Sequence, residues 1–241
     1  MSIPGKLGTK ELALAVTFTA LYVVFGAVKL SPIIGLPGQA ITATAIFAPI
    51  IGMLFGPYIG VLSTLFGGII GISFGYFSLL SLASGIVAAL CSGMVVKGKR
   101  TVSVTVYLFI LLLLAFYPVI GPAWLYPPYL CFQIIGFVIL VSPLQSTAIK
   151  ELNSSSNLRL LSAFFVTSLT STLAGQIAGS VTYELIISPD INGATGTWMT
   201  TVFLYPMERV IIAIGSTMIG TTLFKILKNA NFVSSLNSSN H

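Results

Sequence analysis

Long apolar runs, separated by short polar or proline- and glycine-rich breaks, fill almost the whole chain. The first extends from about Leu12 to Leu30. The break that follows, Ser31–Gly38, holds Pro32, Gly35, Pro37 and Gly38, a set that disfavours regular helix. Two shorter runs, about Ala40–Phe55 and Tyr58–Ile72, meet at Gly56-Pro57. Each has roughly 15 residues, below the 17–25 that a membrane span needs, so they read as two short tilted helices or as a re-entrant pair. Further runs cover about Tyr76–Val96, Thr101–Pro118, Leu130–Ile149, Leu158–Ile187 and Met199–Leu227. Between them lie the basic cluster Lys97–Arg100, the proline- and aromatic-rich Pro118–Tyr129, the polar Lys150–Arg159 and the turn-forming Ser188–Thr197. The pattern predicts an all-α, polytopic helical bundle of about eight spans, a single transmembrane domain over residues 1–241.

Composition agrees with that pattern. Hydrophobic residues make up 56% of the chain and charged residues 7%, with a mean hydropathy of +1.02. Soluble domains carry about 25% charged residues. The longest polar stretches, Asn153–Asn157 and Ser234–His241, read as a loop and a tail. Lys6 and Lys10 resemble the start of a signal peptide. The apolar run after them is longer than a signal core and lacks a small-x-small cleavage site, so it reads as the first span.

The charges add an orientation. With the N-terminus inside, the inner loops receive Lys6, Lys10, Lys97, Lys99, Arg100, Lys150, Arg159, Lys225 and Lys228, leaving only Lys29 and Arg209 elsewhere. The positive-inside rule then puts both termini in the cytoplasm of a multi-pass cell-membrane protein. Tyr76, Tyr117, Trp124, Tyr126, Tyr129 and Trp198 fall near the outer surface, where an interfacial aromatic belt is the plain reading. The net charge of +6 has no basic face or aromatic interleaving that would suggest nucleic acid. Cys91 and Cys131 sit in apolar runs and read as small core residues. The one histidine, His241, is the last residue, so histidine catalysis and metal binding are not expected, nor is a cofactor.

Glycines recur every four residues at Gly52, Gly56 and Gly60, and a second row runs Ser63, Gly67, Gly71, Gly75. Such small-xxx-small rows let helix backbones approach closely. No glycine loop ends in the Lys-Ser/Thr of a phosphate-binding motif, so the chain is not expected to hydrolyse ATP itself.

Candidate chemistry concentrates at Tyr205-Pro206-Met207-Glu208-Arg209, inside the last apolar run. A charge at the bilayer centre costs about 2.5–3.5 kcal/mol on insertion scales, and ionisable residues there mark functional sites by default. At 1.5 Å per residue, Glu208 and Gln176 both lie roughly 13–16 Å from the outer ends of their helices. Tyr183 and Glu184 lie nearer the surface, and Gln133 about a turn into its helix. Helical neighbours point about 100° apart, so Glu208 and Arg209 are expected to seek partners elsewhere. One reading is a structural ion pair between Arg209 and Glu184. The other is a polar pocket open to the outside. Its candidate substrate-binding residues are Glu208, Arg209, Gln176, Glu184, Tyr183, Tyr205, Gln133 and Trp198, and the loop with Pro32, Gly35, Pro37 and Gly38 is its gate.

Several stretches together carry a family resemblance. They are the entry helix Lys10–Val28 with the proline-glycine loop after it, Phe55–Leu62 leading into Gly67-Gly68-Ile69-Ile70-Gly71, Phe77–Val96 with its basic end, and the closing Tyr205–Lys228. Over residues 10–118 and 199–228 the chain resembles the substrate-binding S components of energy-coupling factor transporters. The resemblance implies capture of a vitamin-type micronutrient from outside, a first loop that gates the site, and release driven by a transmembrane coupling protein and two ATPases. Family members usually have six spans, so two of the predicted eight would be an added pair. The small-residue face of the first helix, which meets the coupling protein in that family, is present loosely as Ala13/Thr17, Ala15/Thr19 and Val16/Ala20.

Three other functions remain open. They are an ATP-independent transporter or channel, a non-transporting subunit of a larger membrane complex, and a membrane enzyme. The last is disfavoured because no paired aspartates or activated nucleophile are visible.

Overall fold

Wherever proline and glycine leave an apolar run uninterrupted, it forms a helix. A computed structural model describes residues 9–152, 154 and 156–229. Lys6, positions 153 and 155, and the tail 234–241 with His241 lie outside the described residues, as do the side chains of Lys10 and Glu11. Helix α1 spans Thr9–Gly26. A small antiparallel hairpin follows, β1 (Lys29–Pro32) with β2 (Ala40–Thr42), pairing Lys29 with Thr42 and Pro32 with Ala40. Then come α2 (Thr44–Phe55), α3 (Pro57–Ser73), α4 (Leu79–Val96), α5 (Arg100–Ala115) and the single turn α6 (Pro122–Leu125). A 3₁₀ turn at Pro127–Tyr129 leads into α7 (Leu130–Val141), α8 (Pro143–Glu151), α9 (Asn157–Ile187) and α10 (Ile191–Asn229). The fold is all-α apart from the hairpin.

Local chemistry sets the breaks. Gly56 takes φ +86°, a conformation that suits glycine, and Pro57 starts α3. The run expected over Leu130–Ile149 divides at Ser142-Pro143, where α7 and α8 meet at 60°. Ser142 caps α8 by accepting from Leu144 N, and Pro143 takes the first-turn position where its missing N–H costs nothing. Arg100 holds this break from α5. Its Nε donates to Leu140 O at 2.7 Å, Nη2 to Ser142 O at 3.0 Å, and Nη1 to Ser146 Oγ. The turn-forming residues before Met199 are helical instead. Asp190 Oδ1 accepts from Gly193 N at 3.0 Å, an N-cap that starts α10 at Ile191. Helix α10 then continues through Pro206.

Contacts along neighbouring helices show alternating directions. Phe25 stacks on Phe47 and Phe18 meets Phe55 at a tilt, so α1 and α2 are antiparallel. Ser63 Oγ donates to Ala15 O, and Gly67 packs on Thr19 and Tyr22, so α3 runs with α1. Counting α7 and α8 together, the chain makes eight passes between two ends. One end holds the hairpin, α6 and the α9–α10 turn. The other gathers the described basic residues of the α4–α5, α8–α9 and C-terminal regions. There Lys97 lies against Gly56, and Lys225 Nζ donates to Asn157 Oδ1 at 2.8 Å.

Length does not make every pass a span. Among the described residues, three helices are long and apolar enough to cross a membrane: Leu79–Val96, Asn157–Ile187 and Ile191–Asn229. The bent α7–α8 pair brings the number to four if it counts as one span. The expected eight spans do not follow from helix length, because α1, α2, α3 and α5 offer shorter apolar stretches. On α10, Phe203, Met207, Ile211, Ile214 and Met218 make an exposed apolar stripe facing away from Glu208 and Arg209.

Close approach rather than bulk holds the helices together. A Cβ at Gly52 would collide with Ala89 O and Ser92 Oγ, one at Gly93 would lie 2.5 Å from Pro57 N, and one at Gly175 would lie 2.6 Å from Ser84 O. In an apolar solvent such small-residue contacts replace the hydrophobic drive that water supplies. The buried side chains form two clusters. One spreads over α4, α5, α7, α9 and α10, the other over α1–α3, Ala88 of α4, α8 and the first half of α9. Cys91 belongs to the first cluster, whereas Cys131 is exposed on α7, correcting its expected place in the core.

Candidate functional site

A concavity opens at the hairpin end, where the two clusters meet. Ile33, Leu80, Tyr183, Trp198 and Tyr205 come from one cluster, and Tyr22, Ala48 and Ala88 from the other. It measures about 800 Å³ including the open space at its mouth. The hairpin contributes Ile33, Ile34, Ile41 and Thr42 as one wall.

Helix α9 supplies the polar wall. Thr172, Gln176 and Ser180 follow one another at four-residue spacing, which puts them on one face, and all three line the cavity. Gln176 Nε2 donates to Tyr129 Oη at 3.3 Å, and that hydroxyl lies 3.0 Å from Ser180 Oγ. Tyr183 Oη pairs with Thr197 Oγ1 at 3.1 Å. Trp198 is locked between rings, 4.7 Å from Tyr129 and edge-on to Tyr183 at 6.0 Å, while its Nε1 donates to Ile120 O at 3.0 Å. Ser81 and Ser84 on α4, which packs directly on α9, also line the cavity. Tyr22 reaches in from α1, its hydroxyl occupying space that a Cβ on Gly85 would fill.

Arg209 reaches this cavity from α10, and its guanidinium carbon sits 6.0 Å from the Tyr205 ring centre. Its partner is Glu208, not Glu184: Arg209 Nη2 lies 3.5 Å from Glu208 Oε2. Both expectations about this pair are therefore corrected. Long side chains from adjacent helical positions curl toward each other, and the buried charges have stronger reason to meet than the 100° offset has to part them. Glu208 Oε1 accepts a hydrogen bond from Ser31 Oγ on β1, which ties the hairpin to α10.

The eight predicted site residues separate into two groups. Arg209, Gln176, Tyr183, Tyr205 and Trp198 line the cavity. Glu208 stands behind Arg209 as its counter-ion. Glu184 is fully buried but is not among the lining residues, and neither carboxylate oxygen has a hydrogen-bond partner among the described residues. Gln133 is removed from the site: it is buried on α7, and its backbone carbonyl accepts from Tyr107 Oη at 2.8 Å. The residues predicted to gate, Pro32, Gly35, Pro37 and Gly38, shape the hairpin and leave its contact with the cavity to their isoleucine neighbours. Gly35, at φ +84°, lets the loop lie on Tyr183, where a Cβ would come within 2.9 Å of the phenol.

The expected aromatic belt divides in the same way. Trp124 and Tyr76 are exposed, whereas Tyr129 and Trp198 are buried beside the cavity. The sequence reading missed Tyr22, Thr44, Ser81, Ser84, Thr172, Ser180 and Tyr129. One signal for part of them was present, the polar row Ser168, Thr172, Gln176, Ser180, Glu184 at every fourth position of an apolar helix. No family model matches the chain, and neither does any curated protein or solved structure.

Proposed function

We propose that the chain is a solute-binding protein of the cell membrane. It captures a small molecule from the outer side in the hairpin-covered cavity and hands it to a separate ATPase module, as S components of energy-coupling factor transporters do. The observation that carries this reading is the cavity: an apolar, aromatic-walled space with a few polar groups converging on it is the usual form of a small-molecule site. A binding role rather than a catalytic one fits its lining of hydroxyls, one amide and one arginine.

The placement of charge supports the orientation. The described basic residues, apart from Lys29 and Arg209, collect at the end opposite the cavity. By the positive-inside rule that end would be cytoplasmic, and the cavity would open to the outside. The coupling partner would meet α1, where Ala13, Thr17 and Ala20 are exposed small residues. The hairpin would act as the gate, because it forms one wall of the cavity and its Ser31 hydroxyl donates to Glu208 on α10.

The Glu208–Arg209 pair favours a second reading, a non-transporting subunit of a membrane complex, in which the two charges only fix helix packing. Gentle purification followed by mass spectrometry of bound small molecules and proteins separates the two. A co-purified solute, with an ATPase and a coupling protein, supports the first. A stoichiometric complex with no ATPase and an empty cavity would replace it with the second.

A further inference from the structure

The Glu208 carboxylate faces two ways. Its Oε1 accepts from Ser31 Oγ on the hairpin, and its Oε2 lies 3.5 Å from Nη2 of Arg209. Neither Ser31 nor Glu208 lines the cavity, whereas Arg209 does. The carboxylate thus stands between a side chain that meets the contents of the cavity and a strand of the hairpin that walls it.

The two contacts differ in kind. Hydrogen bonds between charged groups run at about 2.7–2.9 Å. The approach of Arg209 is longer, and Oε2 makes no hydrogen bond among the described residues, so Arg209 acts on Glu208 through its charge. That charge matters, because a buried carboxylate stays ionised only beside a cation, and Arg209 is its one salt-bridge partner among the described residues. An ionised carboxylate in turn holds a hydroxyl about twice as strongly as a neutral acceptor does. The contact of the hairpin with α9, Gly35 on Tyr183, involves no charge and lies outside this chain of effects.

We infer that Arg209 sets how firmly the hairpin closes the cavity, acting through Glu208, which owns the closing hydrogen bond. Arg209 is a positioning residue in this respect: it keeps Glu208 charged and in place to accept from Ser31, so an event at Arg209 inside the cavity is felt at the hairpin. The inference rests on the reading of the chain as a solute-binding protein only for what the hairpin closes over.

Hydrogen exchange of the full chain in detergent, read by mass spectrometry, tests the linkage. Arg209→Met should speed local exchange at residues 29–42 about fivefold, the difference between a charged and a neutral hydrogen bond. Arg209→Lys, which restores a cation, should bring the rate back. Glu208→Gln keeps an oxygen for Ser31 but no charge and should speed the hairpin as much, and Glu208→Gln/Arg209→Met should be no faster than Glu208→Gln alone. A purely structural pair would instead speed exchange in the centre of α9 and leave local opening of the hairpin where it was. If Arg209→Met alone does not fold, Glu208→Gln with and without it still decides: the first change must speed the hairpin and the second must add nothing. Hairpin rates unchanged by Arg209→Met, no recovery in Arg209→Lys, or a double variant faster than Glu208→Gln overturns the inference. No solute is added, so that failure would leave solute binding to be decided by what co-purifies.

Discussion

Glu208 and Arg209 are neighbours in sequence and partners in space, with Nη2 of one 3.5 Å from Oε2 of the other, both buried. A charge pair of this kind is held by what its removal would leave behind. Without Arg209, the Glu208 carboxylate would keep Ser31 as its one partner among the described residues.

Arg209→Ala should therefore destabilise the protein by about 3–5 kcal/mol, the cost of an orphaned buried charge. Removing both charges in Glu208→Gln/Arg209→Met should cost much less. Thermal unfolding of the three proteins in one detergent checks this. Equal losses for single and double variants would mean that the pair is not coupled.

Ser31 Oγ is the hydrogen-bond donor from the hairpin to Glu208. Ser31→Ala should loosen residues 29–42 by about 1.5–3 kcal/mol, the range for a hydrogen bond to a charged group. Hydrogen exchange should speed up in the hairpin and leave α4 and α9 unchanged. Unaltered exchange at 33–41 would show that other contacts hold the hairpin shut.

Glycine positions provide a paired control. Gly52→Ala pushes a methyl into Ala89 O and Ser92 Oγ, with backbone on the receiving side, and should cost about 1–3 kcal/mol. Gly196→Ala meets nothing within 4 Å on α10 and should stabilise by up to about 1 kcal/mol through helix propensity. Melting temperatures moving in the same direction would contradict the packing at α2–α4.

Arg100 bridges carbonyls at the broken turn between α7 and α8. Arg100→Met, which keeps the stem and removes the donors, should free that turn at a cost of about 1.5–3 kcal/mol. Labelling of a cysteine placed at Thr147 reports it. A labelling rate unchanged by the substitution would assign the bend to Pro143 alone.

Hydropathy alone located the helices well where the chain is continuous. The run read as Leu158–Ile187 is α9 at Asn157–Ile187. It failed where one residue serves two grammars. Asp190, Asn192 and Gly193 spell a turn, yet Asp190 caps a helix that begins one residue later. Ser142-Pro143 sits inside an unbroken apolar stretch, and its break shows only once Ser142 is seen as a cap. The hairpin at 29–42 takes in the predicted loop Ser31–Gly38 and the adjoining ends of two predicted helices, because strands of three and four residues are too short to show a period. Within the site, residue type made Arg209, Gln176 and Trp198 legible. Pairing was not: Ser31 and Glu208 are 177 positions apart, and no local pattern announces that bond.

The cavity lies on the seam between two clusters of buried side chains, bordered by Tyr22 and Ala48 on one side and Trp198 and Tyr205 on the other. Anything that fills it touches both halves of the molecule at once. A molecule held there would act as a mortar joint, adding its own contacts to the ones by which α4 and α9, each a member of both clusters, already tie the two sides together.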